Sequence, residues 1–184
     1  VVNDQSNDRT SELLNEFKKT YSRLTVVEIN ENVNHVVGKK FALTLGIKTA
    51  KYENLLLTDA DCYVTTNNWI SSMSNNFNQS DIILGYGSYK KEKGILNKLI
   101  RFDTYNVAIQ YMSYALNNLT YMGVGRNLSY RKSLFFKNKG FANHLHIASG
   151  DDDLFIREVS ENNNVSIELS SDSHTVSFAK KTWK

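Results

Sequence analysis

Apolar residues along this chain fall in short dense runs separated by amphipathic stretches, the alternation expected of strands covered by helices. Val1 and Val2 read as a strand ending in the turn-forming cluster 3–8. Asp8 then stands where it can cap a helix over residues 9–21, with Leu13, Leu14 and Phe17 on one face. Residues 24–29, rich in β-branched types, predict a second strand. Residues 38–50 predict a second helix, with Phe41, Ala42, Leu45 and Ala50 spaced for one buried face. Leu55, Leu56 and Leu57 form a wholly apolar run, which suits a central parallel strand covered on both sides. A helix is expected from Asn67 or Asn68 to Phe77, and a strand at 82–84. Residues 85–94, with three glycines and three lysines, read as a mobile loop.

Residues 95–116 predict a long amphipathic helix rich in Tyr, Met and Ile. Its apolar stripe is expected in the core, with a membrane-surface or lipid-acceptor face as the alternative. A glycine-punctuated loop and strand follow at 121–131, a helix at 154–160 and a late strand at 165–169. The ends read as cut, as though the chain were one catalytic domain, residues 1–184, within a longer polypeptide. The fold class that follows is α/β, a mostly parallel central sheet flanked by helices.

Composition narrows the choice only a little. A chain of 184 residues, 41% hydrophobic, can bury a core of about one domain. The net charge of +3 is small, and the lysines at 90, 91 and 93 and at 180, 181 and 184 read as solvated runs, so no nucleic-acid partner is expected. The single cysteine, Cys62, excludes an internal disulfide, fits a reducing compartment and reads as a small core residue. Neither a signal peptide nor an apolar run near the ~18 residues of a membrane span is visible.

Three acidic sites carry candidate chemistry. Thr58-Asp59-Ala60-Asp61 ends an apolar strand, so its carboxylates stand at the carboxyl edge of a sheet, where α/β folds bind ligands. On extended backbone, residues i and i+2 point the same way, so both could face one hard cation completed by substrate phosphates. The plainer reading is a polar turn with a helix cap. Asp151-Asp152-Asp153 precedes a helix, and adjacent carboxylates need a cation or a helix N-terminus to relieve their repulsion. Simple capping is the alternative there. Asp4 closes the first strand and by itself is an ordinary turn residue.

In order, these segments resemble family 2 glycosyltransferases of the GT-A fold. Residues 1–10, VVNDQSNDRT, are similar to that family's VVDDGSTDxT segment. Residues 38–47, GKKFALTLGI, are similar to GKxxALNxGI, residues 123–131, GVGRNLSYR, to the GGNLAYRR loop, and residues 149–154, SGDDDL, to TEDxDL. The resemblance implies an inverting transfer of a hexose or N-acetylhexosamine from a nucleotide-diphosphate donor, a UDP-sugar, to a hydroxyl of a glycan or lipid-linked acceptor. It implies Asp4, Lys39 and Asp59 at the nucleotide, Asp61 with Asp59 at a Mg²⁺ or Mn²⁺ ion, and Asp151 as the base. Asn127, Asp152 and Asp153 would line the sugar or acceptor side.

The family's strand preceding the Asp4 segment is not seen. Gly150 replaces its usual glutamate, and the QxxRW segment of many processive members is missing. The resemblance also places the parent protein at the cytoplasmic face of a bacterial membrane, held there by parts outside this chain. A nucleotidyltransferase forming a sugar nucleotide is a competing reading, although no glycine-rich basic phosphate loop is present near the N-terminus. A binding module that kept the fold without the chemistry is another.

Overall fold

The computed structural model describes residues 1–29, 38–144, 147 and 149–183. Its elements run in the order β1 (Val2–Asp4), α1 (Thr10–Thr20), β2 (Val27–Ile29), α2 (Lys39–Thr49), β3 (Asn54–Leu57), β4 (Tyr63–Val64) and α3 (Trp69–Asn75). They continue with β5 (Ile82–Gly85), β6 (Gly87–Tyr89), α4 (Ile95–Leu116), β7 (Leu128–Arg131), α5 (Lys132–Lys137), α6 (Asp153–Ser160), β8 (Val165–Glu168) and β9 (Thr175–Ser177). Lys184, in the expected C-terminal lysine run, lies outside the described residues.

Strands β3, β7, β5 and β8 pair in that order into the main sheet. β7 is antiparallel to both β3 and β5, while β5 and β8 are parallel. Three of the four strands therefore point one way and β7 is reversed, an α/β fold with a mixed sheet. β1 and β2 form a parallel pair beside it, and β4, β9 and β6 form a third, small sheet.

The three leucines of β3 serve two cores by the period of the strand. Leu55 and Leu57 join the main cluster with Ile82, Leu84, Leu128 and Tyr130, whereas Leu56 turns to Met73, Phe77 and Ile83 on the other face. Both faces are covered, as expected, but β3 is an edge strand of the sheet and not a central one. The interior strands are β7 and β5, and β5 is buried along its whole length. A run of leucines reports how many faces are covered. It does not report how many edges are paired.

Two other expectations are corrected. The loop expected at 85–94 contains β6, which runs parallel to β9 with Gly87 opposite Thr175. A partner so distant in sequence leaves no local signature. The face of α2 packed on the core runs through buried Ile47 and half-buried Leu43 and Ala50, while the half-buried Phe41, Ala42 and Leu45 lie outside that cluster. Gly46 lets the helix approach Val2 of β1, to which a Cβ there would come within 3.1 Å.

Helix α4 has the bounds the periodicity predicts. Ala108, Tyr111, Met112 and Ala115 are buried, while Ile95, Phe102, Ile109 and Leu116 face outward, so only part of its apolar surface enters the core. Among the described residues no helix is long and apolar enough to cross a membrane. The aromatic centre of the core is Phe155 of α6, completely buried against the rings of Tyr130, Phe135 and Phe141 at 5.1–5.7 Å.

Candidate functional site

Four segments converge at the carboxyl end of β3. Lys39, the first residue of α2, sends its Nζ to within 3.0 Å of Asp59 Oδ1 and 3.0 Å of Asp151 Oδ2. Asp59 follows β3, and Asp151 lies just ahead of α6 with its side chain only 11% exposed. Asp152 caps α6, its Oδ1 accepting from the Asp153 N–H at 2.9 Å, while its Oδ2 accepts from the Gly125 N–H at 2.7 Å. Gly125 fits the middle of the cluster because it has no side chain. A Cβ there would stand 3.3 Å from Asp152 Oδ2, 3.5 Å from Lys39 Nζ and 3.6 Å from Asp59 Oδ1.

Burial works against the Lys39 charge, but the hydrogen bonds to Asp151 and Asp59, with their negative charge, outweigh it. The ammonium is held above the usual lysine range. Lys39 is thus a fixed cation between two carboxylates drawn from distant parts of the chain.

Its neighbour Lys40 does different work. It is buried, and its Nζ donates to the carbonyls of His144 and Ile147 at 2.7 and 2.9 Å, anchoring the segment that leads to Asp151. Gly150 adopts φ +86°, and a Cβ there would strike Leu154. The glycine standing where the resembled TEDxDL motif has glutamate is therefore the residue this turn requires. Support for Asp151 comes from Lys39, and Asp152 fixes the start of the helix behind it.

The other predicted residues are placed differently. The backbone is not extended through Asp61. The Cys62 N–H donates to the Asp59 carbonyl at 3.1 Å, closing a turn, and the Asp61 side chain is exposed beside the Cys62 thiol. The i, i+2 argument for a shared direction therefore does not hold there. Burial, reinforced by Asp61 and Asp59 and opposed by Thr58, pushes the Cys62 thiol up, which suits an inert residue better than a nucleophile. Asp153 bonds its own helix end through the Leu154 N–H at 2.9 Å. Asp4 stands exposed at the carboxyl end of β1, with no contact to the cluster among the described residues.

Asn127 is not open to a ligand. It is 1% exposed, its Oδ1 accepts from Trp69 Nε1 at 3.1 Å, and its Nδ2 donates to the carbonyls of Tyr86 and Ser173 at 3.1 and 2.7 Å. Its place is beneath the site as a clamp between β5, α3 and the approach to β9. The sequence gives no sign of this burial, because an asparagine beside a glycine loop looks like a surface residue.

Among the described residues no three His, Cys, Asp or Glu side chains converge closely enough to hold a divalent ion by themselves. The acids at this rim nevertheless outnumber Lys39, the cation they draw in, and they are hard oxygen donors. That chemistry fits Mg²⁺ or Mn²⁺ in the form in which one or two carboxylates supply part of the shell and a diphosphate the rest.

Comparison with known proteins bears on the fold and the family. The chain is 38% identical over 65 residues to the poly-beta-1,6-N-acetyl-D-glucosamine synthase of Staphylococcus epidermidis, covering 35% of this chain and 14% of that protein. It is 27% identical over 157 residues to the poly(ribitol-phosphate) beta-glucosyltransferase of Bacillus spizizenii, covering 84% and 23%. Among solved structures it resembles a mannosyltransferase from Pyrobaculum calidifontis in complex with GDP-Man and Mn²⁺, with a TM-score of 0.69 and 20% identity. That match covers 100% of this chain and 48% of the other. Staphylococcus aureus TarS in complex with UDP-GlcNAc matches with a TM-score of 0.66 at 20% identity, over 99% of this chain and 49% of that one. The chain thus spans about half the length of these structures and less than a quarter of the curated relatives. These likenesses fix the GT-A fold, and the model of glycosyl transferase family 2 matches residues 1–139; the chain belongs to that family.

Proposed function

We propose that residues 1–184 are the catalytic domain of a longer, membrane-associated protein that transfers a sugar, with inversion, from a nucleotide-diphosphate donor to a hydroxyl of a glycan or lipid-linked acceptor. The observation that carries the reading is the convergence of Lys39, Asp59, Asp151 and Asp152 at one rim of the sheet. UDP-hexose or UDP-N-acetylhexosamine is the donor we favour, because TarS binds UDP-GlcNAc and one curated relative makes poly-N-acetylglucosamine.

In this scheme Asp151 takes the proton of the acceptor hydroxyl as that oxygen bonds to the anomeric carbon. The bond from that carbon to the diphosphate breaks, the nucleoside diphosphate leaves, and Asp151 returns its proton to solvent. Asp59 and Asp61 would hold a divalent ion whose charge stabilises the leaving diphosphate. Lys39 pairs with Asp151 and orients its carboxylate. Asp4 is assigned to the nucleoside from the resemblance of residues 1–10 to the VVDDGSTDxT segment.

The test uses the full-length protein with UDP-sugar donors and Mn²⁺. Asp151→Asn should lose transfer by at least about 10³-fold, within the range for losing a positioned base, while calorimetry finds UDP binding unchanged. Asp61→Ala should weaken Mn²⁺-dependent UDP binding. Undiminished transfer by Asp151→Asn removes that residue as the base, and unchanged UDP affinity in Asp61→Ala removes the metal assignment.

A further inference from the structure

One residue beyond the acidic cluster, the chain turns from Gly125 to Arg126, and Arg126 opens onto a separate cavity of about 240 Å³ between α4, β6 and this turn. The backbone of Arg126 is fixed, its carbonyl accepting from Thr58 Oγ1 at 2.9 Å and Thr175 Oγ1 at 3.0 Å. Gly87 makes room for its side chain, since a Cβ at 87 would come within 2.9 Å of Arg126 Cβ. The guanidinium lies over the Tyr89 ring, 4.6 Å from its centroid. Its Nη1 is cut off from water and has no acceptor, and no carboxylate lies within ion-pair distance among the described residues. Asp103 of α4 lines the same cavity but does not reach it.

A guanidinium stacked, partly desolvated and left without an acceptor is an unusual expense for a fold, because buried charge is normally paired. Arginine is also a common partner of oxyanions, and a ligand in the cavity would meet the N–H groups of Arg126 other than the sealed Nη1. The cavity falls just below the roughly 300–1,000 Å³ of sites for drug-sized ligands, so it suits one phosphate or carboxylate group with its neighbouring atoms.

We propose that this cavity is an oxyanion subsite anchored by Arg126, holding a phosphate or carboxylate of a substrate whose reacting part lies at the acidic cluster. The identity of that substrate rests on the transferase reading; the presence of the subsite does not. Two sources share the chemistry, the diphosphate of the donor and an acidic group on the acceptor.

The experiment is calorimetric titration of the chain with inorganic phosphate, without nucleotide or metal, at an ionic strength held constant with chloride. Wild type should bind one equivalent saturably. Arg126→Met should weaken that binding by about tenfold or more, the scale of one lost charge-assisted pair. Asp103→Asn, which removes a like charge from the cavity, should tighten it several-fold. Absence of saturable binding to wild type, or unchanged affinity in Arg126→Met, overturns the proposal. If Arg126→Met fails to fold, Asp103→Asn decides, and unchanged or weaker phosphate binding there overturns it. Repeating the titration with saturating UDP and Mn²⁺ separates the sources: displaced phosphate assigns the donor diphosphate, and persistent binding assigns the acceptor. Because the first arm uses no nucleotide, it can succeed even if the transferase reading fails.

Discussion

At the residue scale one ammonium holds the acidic rim together. Lys39 sits 3.0 Å from both Asp59 and Asp151, and without it two carboxylates would face each other across the site. Because the folded protein holds this lysine above its ordinary value near 10.4, the pairing is fully present at neutral pH. It is lost only as pH climbs through that raised value. Lys39→Met should reduce transfer by about 10²-fold, comparable to losing one preorganised electrostatic contact, with Lys39→Arg recovering part of it. Steady-state rates at saturating donor check this; a full rate in Lys39→Met would mean the lysine is a bystander. The motif GKK identifies two lysines and does not distinguish them, yet Lys39 reaches the acids and Lys40 is spent on two backbone carbonyls.

At the scale of elements, the C-terminal half of α6 and the chain that follows α5 are held together around Glu158. Its carboxylate accepts from Asn138 Nδ2 at 2.8 Å and Asn143 Nδ2 at 2.9 Å and meets His144 at 3.1 Å. Burial opposes the charge, but the two amides and the imidazole outweigh it and hold Glu158 below the usual carboxylate range. A group depressed in the folded state contributes stability above its unfolded value, near 4.3, and that contribution fades as pH falls from there through the lower folded value. The melting temperature should therefore drop over that acidic interval, and Glu158→Gln should flatten the drop. A wild-type and a Glu158→Gln curve that run parallel below pH 5 would remove Glu158 from the account.

Across the whole molecule, Asn127 and Phe155 join parts that share no local sequence. Asn127→Ala would strip partners from the Trp69 indole and the buried Ser173 carbonyl, while the Tyr86 carbonyl keeps the Thr175 N–H. At about 1–3 kcal/mol for each buried group left unsatisfied, the loss should be several kcal/mol in urea unfolding. A loss under about 1 kcal/mol would show that water replaces the clamp. Phe155→Ala removes the ring on which Tyr130, Phe135 and Phe141 meet, and should cost about 3–5 kcal/mol. The same measurement checks it.

Local elements were legible in the letters alone: the bounds of α4, the strand at 82–84, the helix behind the acidic triplet and the order of motifs that marks the family. Hydrophobic period and turn chemistry are local, so they are readable residue by residue. Tertiary structure decided the rest. It set β3 at an edge, drew β6 out of an expected loop, folded Asp61 into a turn, buried Asn127, and brought Lys39 between Asp59 and Asp151. Each of these depends on which distant segments lie side by side, and that is fixed by packing and non-local pairing, for which a single chain of letters carries no local signal.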